Sequence, residues 1–315
     1  MMKVISVFTL LMSVSFTANA QLSEINKFEI ARSDGSSIDY YIRKDAPIIH
    51  SNTILMVLQG SDCNSILHID SVDDLKLAWP GADLLLIEKY AITSELAYSK
   101  NNERQDCPMD YLKTDSLDQR VSDIFQVIKE VDATGSYDYF LMIGGSEGAV
   151  VANIVASRTD LIDATASFNG GGRWFLDDVI HSIKYGKPDT AALKAEIEGF
   201  TGMANHLITN TELEMVISGH GSRWWRSTLQ LDQLKQLAKV KSPMLILQSE
   251  QDQSVSVTSA DKMIDSLINS GQKNISYQKY PNLDHSFRNA AGESKLADVV
   301  KDIRQWFSAV AVGFE

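Results

Sequence analysis

Two kinds of apolar pattern alternate along the chain. Thr53-Ile54-Leu55-Met56-Val57-Leu58, Asp83-Leu84-Leu85-Leu86-Ile87 and Tyr139-Phe140-Leu141-Met142-Ile143 are nearly continuous apolar runs of strand length. Runs without a polar residue at every second position predict strands buried on both faces. Ala164 to Phe168, Met244 to Leu247 behind Pro243, and Ile275 to Tyr280 extend the set. Between these runs, apolar residues recur every three or four positions. Leu117, Val121, Ile124, Phe125, Ile128 and Val131 form one stripe, and Ala149 to Ala156 continue straight out of a glycine turn. Ala260, Met263, Ile264, Leu267 and Ile268 form another, and Leu296, Val299, Val300, Ile303 and Phe307 the last. Each predicts an amphipathic helix, the first capped by Asp115 or Ser116. The beginning is different: Phe28 to Arg32 and Ile38 to Arg43 alternate about Ser33-Asp34-Gly35-Ser36, which predicts a hairpin. Strand and helix in alternation predict an α/β fold, a mostly parallel central sheet with helices on both faces.

The alternation fails once. From about 174 to 241 there is no strand pattern, only short helical stretches such as Leu176, Val179, Ile180 and Ile183. An insertion of that size between two strands predicts a helical cap over a site. Trp224 and Trp225, with Phe200, Met203 and Met215, either line an acyl pocket in that cap or pack it onto the sheet. Arg223 and Arg226 either meet a carboxylate on a substrate or stand in solvent. Gly170-Gly171-Gly172 predicts a hinge into the cap, since no Lys-Ser/Thr follows to make a phosphate cradle.

Composition narrows the class. The 315 residues are 44% hydrophobic and 22% charged, enough for a sizeable core and against disorder as the main state. A net charge of -12 argues against a nucleic-acid partner, because phosphate neutralisation needs clustered Lys and Arg. Residues 1–20 read as a secretory signal: Lys3, an apolar stretch from Val4 to Phe16, then Ala18-Asn19-Ala20 as a small-x-small cleavage site. That stretch is shorter than the roughly 20 apolar residues of a membrane anchor, and no later stretch is long enough to span a bilayer. The expectation is an exported protein, periplasmic or secreted, whose residues 21–315 form one catalytic domain with the cap inserted. In an oxidising compartment the two cysteines, Cys63 and Cys107, are expected to pair. Closing a loop of that length stabilises by roughly 4 kcal/mol through lost chain entropy.

Gly144-Gly145-Ser146-Glu147-Gly148 is the most informative string. A G-x-S-x-G pattern is weak alone, but here an apolar strand runs into it and a helix runs out. That turn exposes a serine hydroxyl at the carboxyl end of a strand, and its glycines leave no Cβ atoms in a tightly packed elbow. A serine needs a base and an orienting carboxylate, which follow it in this chain order. Of six histidines, His285 follows the last strand and precedes the last helix, with His220 the runner-up. Asp252 lies in the loop after Met244 to Leu247, and Glu250 is its competitor. The oxyanion of an acyl-transfer intermediate needs two backbone amides. One is that of Glu147; the other is placed in Gln59-Gly60-Ser61-Asp62, with Ser61 preferred and Asp62 the alternative. A Cys63–Cys107 bridge would brace that loop.

Gly144 to Gly148, Asp252, His285 and the Gln59-Gly60-Ser61 turn, in that order, resemble the α/β-hydrolase superfamily over nearly the whole mature chain. The Gly-x-Ser-Glu-Gly-Ala string is similar to its secreted esterase-type members. Prolyl-oligopeptidase-like peptidases usually carry another glycine where Ala149 stands. Ser146 as nucleophile excludes the dehalogenase-type members, which use an acid, and the dienelactone-hydrolase-type members, which use cysteine. The resemblance implies a serine hydrolase of carboxylic esters or thioesters that works without metal or organic cofactor. Its substrate would be a small ester or a short acyl or peptide compound. The alternatives are a serine peptidase for short peptides, weakened by the lack of a propeller-sized N-terminal domain, and a binding protein that kept the fold.

Overall fold

The computed structural model describes residues 24–44, 51–101 and 104–311, so the proposed leader at 1–20 lies outside the described residues. The strands among them are β1 (Ile25–Ala31), β2 (Ser37–Arg43), β3 (Thr53–Leu58), β4 (Asp83–Ile87), β5 (Tyr139–Gly145), β6 (Ala164–Phe168), β7 (Val216–Ile217), β8 (His220–Gly221), β9 (Met244–Ser249) and β10 (Ile275–Tyr280). The helices are α1 (Ser71–Lys76), α2 (Met109–Thr114), α3 (Leu117–Ala133), α4 (Glu147–Ala156), α5 (Phe175–Lys184), α6 (Ala191–Thr209), α7 (Ser222–Gln230), α8 (Gln233–Leu237), α9 (Val257–Asn269) and α10 (Leu296–Ala311).

Eight strands make one sheet in the order β1-β2-β4-β3-β5-β6-β9-β10. β1 pairs antiparallel with β2, and β2 antiparallel with β4. All remaining pairs are parallel. The continuous apolar runs are the interior strands: every residue of β3 and β4 is buried. One face of the sheet packs on α3, α4, α8 and α9, through residues such as Ile124, Val151, Leu237 and Ile264. The other packs on α1 and α10, through Leu75, Val300, Ile303 and Phe307. This is the α/β-hydrolase architecture, with β4 on one side of β3 and β5 on the other. The chain thus reverses direction across the sheet at β3 and β5, and the crevice beyond their carboxyl ends is where α/β sheets bind ligands.

Several elements depart from what periodicity predicts. The 174–241 stretch contains a small antiparallel hairpin, β7 with β8. Ser218 and Gly219 at its tip both have positive φ, 49° and 75°, as a two-residue type I′ turn requires. Within the same stretch α5, α6 and α7 share their own apolar cluster around Trp224, Trp225 and Leu207, whereas Leu237 of α8 belongs to the main core. The α3 cap is Ser116, whose hydroxyl accepts the Gln119 amide at 3.1 Å; Asp115 is buried instead.

Candidate active site

β5 enters the sharpest turn of the molecule at its carboxyl end. Ser146 has φ 54° and ψ -124°, a backbone region L-residues rarely occupy. Packing enforces it. A Cβ on Gly144 would lie 2.2 Å from the Gly148 carbonyl oxygen, and one on Gly148 would lie 2.2 Å from that of Leu58. The Ser146 amide donates to the Phe168 carbonyl at 2.9 Å, tying the turn to β6. α4 starts at the next residue, so the hydroxyl sits at the positive end of a ten-residue helix.

The loops after β9 and β10 bring two side chains to this hydroxyl. His285 Nε2 lies 3.1 Å from Ser146 Oγ, and His285 Nδ1 lies 2.8 Å from Asp252 Oδ2. The other Asp252 oxygen accepts the Ser254 and Val255 amides at 2.8 and 3.0 Å. With both carboxylate oxygens accepting, Nδ1 carries the ring proton and Nε2 faces the serine as an acceptor. Glu250 instead pairs with Lys279 at 2.8 Å. Asp284 caps its own loop by accepting the Ser286 and Arg288 amides. His220 is stacked on Trp224 with centroids 3.8 Å apart, and burial lowers its pKa to about 4.

Three residues that no motif marked support this arrangement. Asn169 follows β6 with φ 51° and bridges two loops: its Nδ2 donates to the His285 carbonyl at 2.9 Å, and its Oδ1 accepts the Ser249 amide at 2.8 Å. His181 of α5 bonds the Asp252 carbonyl at 2.9 Å. Asp178 of α5 accepts the Ser256 amide at 2.8 Å and the Gly172 amide at 3.2 Å. Burial raises the Asp178 carboxyl to about 7. These bonds fasten the start of α5 to the Asp252 loop, and they make Gly171-Gly172 a packed turn rather than a free joint. The weak sequence signals were an Asn directly after a strand and polar residues inside an otherwise apolar helical stripe.

On the opposite side of the serine runs the Gln59-Gly60-Ser61-Asp62 loop. A Cβ on Gly60 would lie 3.6 Å from Ser146 Cβ and 4.0 Å from its Oγ, so this backbone borders the Ser146 side chain. Cys63, the next residue but two, is bridged to Cys107. The Glu147 side chain turns inward, forming a buried ion pair with Arg120 and accepting the Trp224 indole N–H. Burial alone would raise this carboxyl; Arg120 and then Lys89 outweigh it and hold it near 2. The position expected of Trp224 and Trp225 differs from an open pocket lining. They are 4% and 5% exposed, and both indole N–H groups are used inside the protein, that of Trp225 on the Ile217 carbonyl. Large flat rings with satisfied N–H groups pack the interior of the α5–α7 cluster and join it to the elbow. Arg223 is exposed on α7, and Arg226 is turned onto the Asn210 and Leu213 carbonyls. Among the described residues no group of three or more His, Cys, Asp or Glu side chains is placed to hold a metal ion.

Comparison with known proteins agrees with this architecture. The family model described as prolyl oligopeptidase family matches residues 109–312. No curated protein matches the chain in sequence. Among solved structures, Est1E from Butyrivibrio proteoclasticus is similar with a TM-score of 0.60 and 12% identity, over 91% of this chain and 99% of that one. The Pyrococcus furiosus esterase Pf2001 is similar with a TM-score of 0.56 and 12% identity, over 92% of each chain. The Pyrococcus horikoshii acylaminoacyl peptidase gives a TM-score of 0.59 and 14% identity, over 92% of this chain and 42% of that one.

Proposed function

The chain belongs to the prolyl oligopeptidase family of serine hydrolases, and from that premise we propose that Ser146, His285 and Asp252 are its catalytic triad and that it hydrolyses small carboxylic esters or thioesters. The observation that carries the reading is the in-line pair of contacts from Ser146 Oγ through His285 to Asp252, 3.1 and 2.8 Å. Ser146 attacks the substrate carbonyl as His285 takes its proton. Asp252 holds the imidazole in the required tautomer and balances its charge once protonated. The Ser61 and Glu147 amides receive the oxyanion. His285 then returns the proton to the leaving group, and water releases the acyl group by the same route.

Support for esters over peptides comes from the extent of the structural likeness. Est1E and the Pf2001 esterase match over nearly their whole length, the acylaminoacyl peptidase over 42% of its own. The family supports peptide substrates as the second reading. A panel of p-nitrophenyl esters beside aminoacyl nitroanilides decides between them. The expected result is ester turnover that exceeds anilide turnover by at least about tenfold in kcat/KM and disappears in Ser146→Ala. Preferential anilide cleavage would replace the ester reading with the peptidase one. Export completes the proposal: residues 1–20 act as a cleaved signal, and the buried Cys63–Cys107 bridge suits an oxidising compartment. No helix among the described residues is long and apolar enough to cross a membrane.

A further inference from the structure

The loop bordering Ser146 is held from behind by buried cationic and polar side chains. Arg120 of α3 donates to the Gln59 carbonyl at 3.1 Å. Lys89, just after β4, donates from Nζ to the Gly60 carbonyl at 2.6 Å and also to the Asp62 carbonyl. His220 of β8, stacked on Trp224, lies beside the loop at Ser61, whose backbone favours its protonated form. A trans peptide unit is planar, with its N–H directed opposite to its C=O. Fixing the Gln59 and Gly60 carbonyls on the Arg120 and Lys89 side therefore turns the Gly60 and Ser61 amides to the other side of the loop. Among the described residues neither amide donates a hydrogen bond.

Lys89 is costly to keep. It is 3% exposed, and burial lowers its pKa. Glu147, Asp62 and Asp115 favour its charge, and Arg120 opposes it. Its ammonium also stands 5.9 Å from the centre of the buried Tyr111 ring. A residue needed only to fill this space would be apolar, because burial disfavours an ammonium without close partners. Both carbonyls that Lys89 binds belong to the loop beside the nucleophile.

We propose that Lys89 is a positioning residue for acyl transfer. Its ammonium fixes the Gly60 and Asp62 carbonyls so that the Ser61 amide faces the oxyanion, and it polarises the Gly60–Ser61 peptide into a stronger donor. Lys89 touches no reacting atom; it acts through the peptide. The inference rests on the Ser146 reading above.

The test compares wild type, Lys89→Met and Lys89→Gln in steady-state hydrolysis of p-nitrophenyl acetate and in inhibition by an aryl trifluoromethyl ketone. The ketone forms a tetrahedral oxyanion on an active serine, so its affinity reads oxyanion stabilisation directly. The expected result for Lys89→Met is a fall in kcat of at least about tenfold with KM within about twofold, and a parallel loss of ketone affinity. A merely structural role would not single out the tetrahedral state. If thermal unfolding shows that Lys89→Met does not fold, Lys89→Gln, which keeps a donor and removes the charge, is read in its place. A folded variant with wild-type kcat and wild-type ketone affinity overturns the inference. A wild-type protein inert toward both the ester and a fluorophosphonate overturns the Ser146 reading as well, so the two failures are distinguishable.

Discussion

Gly60 shows how tightly the chemistry is tied to single atoms. Its φ is not among the positive values, so the backbone itself accepts an L-residue. A Cβ there would meet Ser146 Cβ at an ordinary 3.6 Å and Oγ at 4.0 Å. The added methyl therefore occupies space that an acyl carbon must cross to reach Oγ, without disturbing the fold. Gly60→Ala is expected to keep the wild-type unfolding midpoint and to lose on the order of 100-fold in kcat/KM; unchanged ester turnover would show that substrate approaches from another side. Gly148 is the opposite case, since a Cβ 2.2 Å from the Leu58 carbonyl collides with backbone of the protein itself. At this scale much of the site was legible in the sequence. Ser146, Asp252 and His285 stand at the ends of β5, β9 and β10, and chain order sorts them. Lys89, Arg120 and Glu147 did not stand out as partners, because they are separated by 27 to 77 residues from the groups they bind. The only trace was charge in apolar company: Lys89 two residues past the Asp83–Ile87 run, and Arg120 three residues from Leu117 on the same stripe.

Among the elements, β4 and its exit matter beyond the sheet. Glu88 follows β4 and accepts the Ser65 hydroxyl and, at 3.1 Å, the Ile66 amide, anchoring the far end of the loop that starts at Gln59. Burial raises this carboxyl from 4.5 to about 7, against the two hydrogen bonds. The folded protein thus holds a proton that the unfolded chain has released between those two values. Stability from this group is fully present below pH 4.5 and is lost as pH rises through 7, about 3 kcal/mol in all. Glu88→Gln removes that dependence. The midpoint of the variant relative to wild type is expected to rise between pH 4.5 and 7 and to level off above; a difference independent of pH contradicts the assignment. Elements were legible where burial left a continuous or periodic apolar pattern: the 19-residue α6, buried only at Leu193, Ala204 and Leu207, lies in a stretch whose sequence showed only short helical runs. β3, β4 and β5 are wholly or nearly wholly buried and read as apolar runs. The two-residue strands β7 and β8 and the six-residue helices α1 and α2 are too short to show a period.

Across the whole molecule, the sheet's reversal at β3 and β5 places two loops side by side, and the insertion between β6 and β9 fastens onto both sides of the site. Trp224 and His220 reach the elbow and the Gln59–Asp62 loop, while Asp178 and His181 reach the Asp252 loop. The α/β class followed from the alternation of strand and helix, and the α/β-hydrolase reading from the resemblance carried by Gly144 to Gly148, Asp252, His285 and the Gln59-Gly60-Ser61 turn. The attachments did not, because tertiary contacts between distant polar residues leave no local pattern. Whether Ser146 is the activated nucleophile is decided by active-site labelling. Purified wild type and Ser146→Ala are treated with a fluorophosphonate probe, and the modified peptide is identified by mass spectrometry. The expected result is a single label on Ser146 of the wild type and none on the variant. A folded wild type that takes no label, or a variant that labels equally, would contradict it.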